Sequence, residues 1–144
     1  MRDLENKLMK LHATLAQMEF KLKNFRWNVV GLDHFEAYKQ LNDLIFTCSS
    51  SYDEIGDLII QLGGLPIVEF NKISKESLIN SEPSKKFDSL FIADILIEDF
   101  QKILEFTTTT QWNMLMQPVI DNLNKWMLKA VWQWQSVLTD VEQI

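Results

Sequence analysis

The sequence predicts an all-α fold: a four-helix bundle with one long crossover connection between the second and third helices. Three observations predict it. Four Gly and three Pro in 144 residues leave little to interrupt long elements. Apolar residues recur at three- and four-residue spacing along four stretches, the period of a helix with one buried face. Residues 67–86, between the second stretch and the third, lack that period.

The first helix carries Leu4, Leu8, Leu11, Leu15, Met18, Leu22 and Phe25, a single stripe along its length. The second is expected after Gly31, with Asp33 as its cap. Its stripe is Tyr38, Leu41, Ile45, Cys48, Tyr52, Ile55, Ile59 and Leu62, and Gly63-Gly64-Leu65-Pro66 stops it. In the crossover, the run SKESLIN (74–80) could form one or two helical turns. The third helix is expected from about Asp88 to Phe106, through Leu90, Ala93, Ile97, Phe100 and Leu104, broken by the threonine run 107–110. The fourth runs toward the C-terminus through Val119, Leu123, Trp126, Ala130, Trp134, Val137 and Val141. Pro118 belongs in its first turn or marks a kink. The Trp and Met residues of these stripes read as core rather than as the lining of a cofactor box.

Adjacent up-and-down helices can be joined by short loops. A long connection between the middle helices is the mark of the ferritin-like arrangement. The length fits one domain, residues 1–144, with a single core built from 47% hydrophobic residues. One cysteine, Cys48, excludes an intrachain disulfide and fits a reducing cytoplasm. The N-terminal MRDLENKLMK lacks the apolar centre of a signal peptide, and no apolar run approaches the ~20 residues that span a bilayer. A formal net charge of −6 disfavours nonspecific attachment to nucleic acid or anionic membrane.

Asp53 and Asp57 lie four residues apart on the second helix, so their carboxylates are neighbours that favour a cation between them. An intrasubunit di-iron centre would need Glu-x-x-His on two helices. Met9 stands three residues before His12 and Gly31 three before His34, so neither histidine supplies it. His12 and His34 are read as surface or ordinary packing, and Cys48 as an inert buried thiol. Lys7, Lys10, Lys21 and Lys23 alternate with acids and are read as a solvated face.

NFRWNVVGLDHFEAYKQLNDLI (24–45) followed by SYDEIGDLIIQLGGLP (51–66) resembles the signature region of the Dps family, small ferritin-like cage proteins. That signature joins Asn-Phe-His-Trp-Asn-Val-x-Gly to Phe-x-x-x-His, then to Asp-x-x-Ala-Glu-Arg and Gly-Gly-x-Pro. The likeness runs without gaps from about Leu11 to Pro66 and returns, more loosely, over MLMQPVIDNLNKWMLKA (114–130). It implies a bundle with a short helix in the crossover, assembled as a dodecamer from two-fold dimers. Such proteins oxidise ferrous iron at sites shared across the two-folds and store ferric mineral; some bind DNA. Carried over residue by residue, the first histidine ligand falls on Arg26 and the second on Tyr38. The acidic residue one turn on falls on Asn42. Only Asp53 and Asp57 keep their acidic character as metal-ligand remnants, and TTTTQWNM replaces the acidic pore lining. Arginine cannot ligate a metal, and phenol with carboxamide replaces imidazole with carboxylate poorly.

Helix geometry gives the same residues a second role. Tyr38, Asn42, Asp53 and Asp57 fall within about 100° on one side of the second helix, yet Tyr38 and Asp53 stand about 22 Å apart along its axis. Two antiparallel copies crossing near residues 47–48 bring 38 to 57 and 42 to 53, with Phe46 and Ser49 near the crossing. Arg26 would answer the acidic pair where the family has metal. The expected function is a cytoplasmic Dps-like cage for iron sequestration or storage, or oxidative-stress protection, with weak or no ferroxidase activity. The alternatives are a structural or DNA-associating assembly without an iron role, and a small partner-binding bundle. DNA binding is not expected, because the first helix is expected to begin almost at Met1, leaving no basic tail.

Overall fold

The computed structural model describes residues 2–139. Five helices follow one another: α1 Arg2–Asn28, α2 His34–Gln61, α3 Phe70–Glu76, α4 Ser89–Thr109 and α5 Gln117–Leu138. Four form the bundle and α3 is the short helix of the crossover, lying against α1. It occupies 70–76 rather than 74–80, because the Ser77 hydroxyl takes up the Ile79 N–H and donates to the Ile79 carbonyl, turning the chain out of the helix. Val141, placed on the last stripe by spacing, lies outside the described residues.

The short turn 29–33 makes α1 and α2 an antiparallel pair: His12 meets Tyr52, and Leu15 meets Cys48. Gly31 permits that turn through a φ of 123°. The end of α2 is a Schellman motif, with Gly64 N–H donating to Ile59 O at 2.9 Å and Gly63 N–H to Ile60 O at 3.0 Å. Gly63 supplies the positive φ, 90°, that this cap requires. The α4–α5 pair is also antiparallel, Phe100 meeting Trp126 and Thr107 meeting Asn124. Trp126 then donates to Ser51 Oγ at 2.8 Å, joining α5 to α2.

Two helix ends differ from expectation for local reasons. The threonine run continues α4 to Thr109 instead of breaking it. Thr108, Thr109 and Thr110 donate their hydroxyls to the carbonyls of Leu104, Glu105 and Phe106, one turn back. The indole of Trp112 donates to Thr107 O at 2.9 Å and covers one of the helix's last free carbonyls. At the start of α2, Asp33 takes the cap position, but its side chain makes no capping bond. Asp88 does cap α4, accepting from Phe91 N–H at 2.8 Å. Pro118 sits in the first turn of α5, where its missing N–H costs nothing.

The core runs the length of the bundle through Leu11, Leu15, Met18, Leu22 and Phe25 of α1, Leu41, Cys48 and Ile55 of α2, Leu96, Phe100 and Ile103 of α4, and Leu123 and Met127 of α5. Leu90 and Val137, both assigned to stripes, are exposed, while Ser89 and Ile92 of α4 and Trp134 of α5 are buried beside them. Trp112 and Trp134 are buried, while Trp27 and Trp132 are exposed, so tryptophan is only partly core here. Among the described residues, no helix is long and apolar enough to cross a membrane.

The crossover is held by a polar flank of α1. Thr14 Oγ1 accepts from Leu78 N–H at 2.9 Å, Lys21 Nζ donates to Asn80 O at 2.8 Å, and Asn24 Nδ2 donates to Glu82 O at 2.9 Å. The segment then bridges to the α1–α2 turn, Val30 N–H meeting Phe87 O at 2.8 Å. Several backbone groups of this non-periodic stretch are thereby paired without forming a sheet. Lys21, expected on a solvated face, is 4% exposed and lies 2.6 Å from Asp99 on α4.

Candidate functional site

Arg26 stands in the last turn of α1, where its charge also complements the helix's C-terminal carbonyls. Its Nη1 donates to Asn42 Oδ1 at 2.6 Å, tying the end of α1 to the third turn of α2. The guanidinium carbon lies 5.7 Å from the ring centres of both Trp27 and Tyr38, within cation–π reach of each. The Nε is buried and has no hydrogen-bond partner among the described residues. Arginine tolerates this setting because its planar, weakly hydrated cation remains charged between aromatic rings.

Tyr38 is 41% exposed and leaves the α2 core stripe on which its spacing put it. It faces Arg26 and the neighbouring His34 ring, 6.0 Å away. His34 is fixed at the start of α2 by a 2.7 Å hydrogen bond between Nδ1 and Val29 O. The structure therefore places Arg26, Tyr38 and Asn42 side by side. It does not bring Asp53 or Asp57 to them. Both carboxylates are exposed further along α2, and neither has a hydrogen bond or ion pair among the described residues.

Near Asp53, on the other side of α2, His12 is 3% exposed and stacks on Tyr52 with ring centres 4.2 Å apart. Its Nε2 is 3.0 Å from Tyr52 O, which makes Nε2 the protonated nitrogen and leaves Nδ1 buried without a partner. Burial pushes its pKa below the usual 6.5, opposed by the Tyr52 carbonyl and the Asp53 charge. Gly56 makes room for the ring, since a Cβ there would come within 3.0 Å of Nε2. This is packing, consistent with the expectation for His12.

A metal fits this arrangement poorly. Among the described residues, no group of three or more His, Cys, Asp or Glu is arranged to hold an ion. At the position where the resembled family has a histidine ligand, a guanidinium occupies the space and the one nearby carboxamide oxygen already accepts from it. A cation fixed there repels ferrous iron rather than binding it.

The buried Lys21–Asp99 pair was not legible as a site from the sequence. Its one signal is that Lys21 stands seven residues after Thr14 and three before Asn24, along the flank beside the apolar stripe. Burial is the first cause that raises the Asp99 pKa, against the lowering influence of Lys21.

No family model matches the chain. A curated relative, the DNA protection during starvation protein of Helicobacter pylori, is 25% identical over 137 residues, covering 91% of this chain and 95% of that one. Among solved structures, antigen TpF1 of Treponema pallidum superposes with a TM-score of 0.89 at 19% identity, covering 96% of this chain and 93% of its own. Dps from Staphylococcus aureus gives 0.88 at 19% identity, with 97% of each chain covered. A Dps protein of Vibrio cholerae, described as a member of a broad superfamily of ferritin-like diiron-carboxylate proteins, gives 0.86 at 17% identity.

Proposed function

We propose that this chain, a Dps-like protein with the ferritin-like four-helix bundle, is the subunit of a cage that sequesters or stores iron, or protects against oxidative stress, with weak or no ferroxidase activity. It works as a homo-oligomer, a dodecamer of two-fold dimers, in the cytoplasm. The observation that carries the reduced activity is Arg26, held by Asn42 at 2.6 Å in the position of a metal ligand. Ferrous ion is here a cargo; without the two imidazoles it is not held as a reactive pair. Carboxylates elsewhere on the cage surface remain able to take it up slowly.

The experiment is anaerobic ferrous titration of the purified protein, followed by oxygen or peroxide, with ferric absorbance read against a protein-free control. The expected trace stays close to the control. A fast, stoichiometric burst overturns the reading. Light scattering checks the assembly, with twelve copies of 16.9 kDa expected near 203 kDa.

A second reading, a DNA-associating assembly without an iron role, draws on the name of the Helicobacter pylori relative. The net charge of −6 opposes it. Salt-sensitive retardation of DNA by the assembled protein would favour this second reading.

A further inference from the structure

The outer face of α2 has a self-complementary order. On a helical projection Phe35, Tyr38, Asn42, Phe46, Ser49, Asp53, Asp57 and Ile60 fall within about 100° of one another, away from Leu41, Cys48 and Ile55 in the core. Phe35, Phe46 and Ile60 are 85%, 71% and 55% exposed, large apolar side chains left mostly open among the described residues. Reversed about a point between residues 47 and 48, the face meets itself in matched terms: apolar Phe35 opposite Ile60, Tyr38 opposite Asp57, Asn42 opposite Asp53, and Phe46 opposite the small Ser49. A two-fold contact requires this kind of self-matching patch. Nearby on α1, Phe20 and Trp27 are 50% and 65% exposed and extend the apolar surface.

The charges are incomplete in the way this pairing repairs. Among the described residues, Arg26 has a buried Nε without a partner, and its side-chain hydrogen bond is to a neutral carboxamide. Asp53 and Asp57 lack any cation among the described residues. Within one chain they cannot meet, since Asn42 and Asp53 are separated by eleven residues of continuous helix, roughly 16 Å of rise.

With the second copy of the proposed cage dimer as the occupant of this face, we propose that Arg26 forms an ion pair with Asp53 or Asp57 of that copy. Asn42 positions the guanidinium, and the rings of Trp27 and Tyr38 flank it. Each dimer contains the pair twice. The bridge is made of protein alone, so the dimer holds together without metal. This deepens the proposed cage function and rests on it for the assembly that follows.

The test is a double-mutant cycle on dissociation of the assembly to subunits, measured by sedimentation over a series of protein and denaturant concentrations in the presence of a chelator. Arg26→Ala strands two carboxylates in the contact and is expected to weaken the dimer roughly 100-fold or more. Asp53→Asn/Asp57→Asn alters only exposed side chains, so it keeps the subunit folded and gives an independent arm. The triple variant should lose less than the product of the two separate losses. Independent, multiplying effects, or Arg26→Ala no weaker than Lys23→Ala, overturn the ion pair while leaving the cage reading intact. A wild-type chain that stays monomeric at all concentrations overturns both. A ferrous burst from a wild-type dimer that shows the coupling leaves the ion pair standing and overturns only the low-activity reading.

Discussion

Lys21 Nζ lies 2.6 Å from Asp99 Oδ2, with side chains only 3% and 6% exposed, and the same Nζ donates to Asn80 O. One ammonium thus ties α1 to α4 and to the crossover. The contact with Asp99 is a close ion pair rather than a well-angled hydrogen bond. Such a pair brings little net stability over an apolar substitute, because both ions are desolvated, but removing one partner strands the other.

Lys21→Met is therefore expected to cost roughly 3–5 kcal/mol in denaturant unfolding by stranding the carboxylate, and Asp99→Leu to be destabilising as well by stranding the ammonium. Lys21→Met/Asp99→Leu should recover a large part of the loss. If the two single changes simply add, the buried charges are not stabilising each other.

His12 sets a pH dependence whose sign follows from burial. Its folded pKa lies below 6.5, so at intermediate pH the unfolded chain binds the proton that the folded chain refuses. Stability from this group is present above about pH 6.5 and is lost as pH falls toward the folded value. Asp99 acts in the opposite sense at lower pH: its raised folded pKa makes stability fall as pH rises through the carboxylate range. Melting temperature followed from about pH 7.5 to 5 should decline for the wild type, and His12→Gln should flatten that decline. An unchanged slope in His12→Gln would assign the acid sensitivity elsewhere.

Cys48 is fully buried, with Sγ 3.5 Å from Leu15 O, and burial pushes its thiol far above the ordinary range. Only the thiolate reacts readily. A thiol reagent should leave the native protein unlabelled over a time in which the denatured chain reacts fully. Fast labelling under native conditions would mean that the α1–α2 seam opens locally.

The α1 apolar stripe and the Gly-Gly end of α2 were legible in the sequence because each depends on residues close in the chain. Arg26, Tyr38 and Asn42 were legible as neighbours for a related reason: a five-residue turn joins the two helices that carry them. Lys21 was misread because α1 is covered on more than one side. Packed by α2, α3 and the crossover, it buries Thr14, Gln17 and Lys21 beside its leucines, and a single stripe no longer describes what is inside. The threonine run misled because β-branched residues weaken helices on average, whereas here each hydroxyl finds a carbonyl one turn back.

Arg26, Tyr38 and Asn42 are expected to be what stands between this bundle and iron chemistry. Arg26→His/Tyr38→His/Asn42→Asp restores imidazole, imidazole and carboxylate at the positions that match the resembled family's ligands. Tyr38 is exposed, and Asn42 to Asp is nearly isosteric, so neither change creates a core cavity. Losing Arg26 removes the fixed cation that repels ferrous ions, and with it the proposed partner of Asp53 and Asp57, which are then free to face metal instead. The variant should therefore assemble better with ferrous iron than with chelator, the reverse of the wild type's indifference. It should also give a ferric burst after peroxide that the parent lacks. If the variant assembles, binds iron and still shows no burst, these three positions are not what limits oxidation, and the shorter acid at Asp57 becomes the next residue to change.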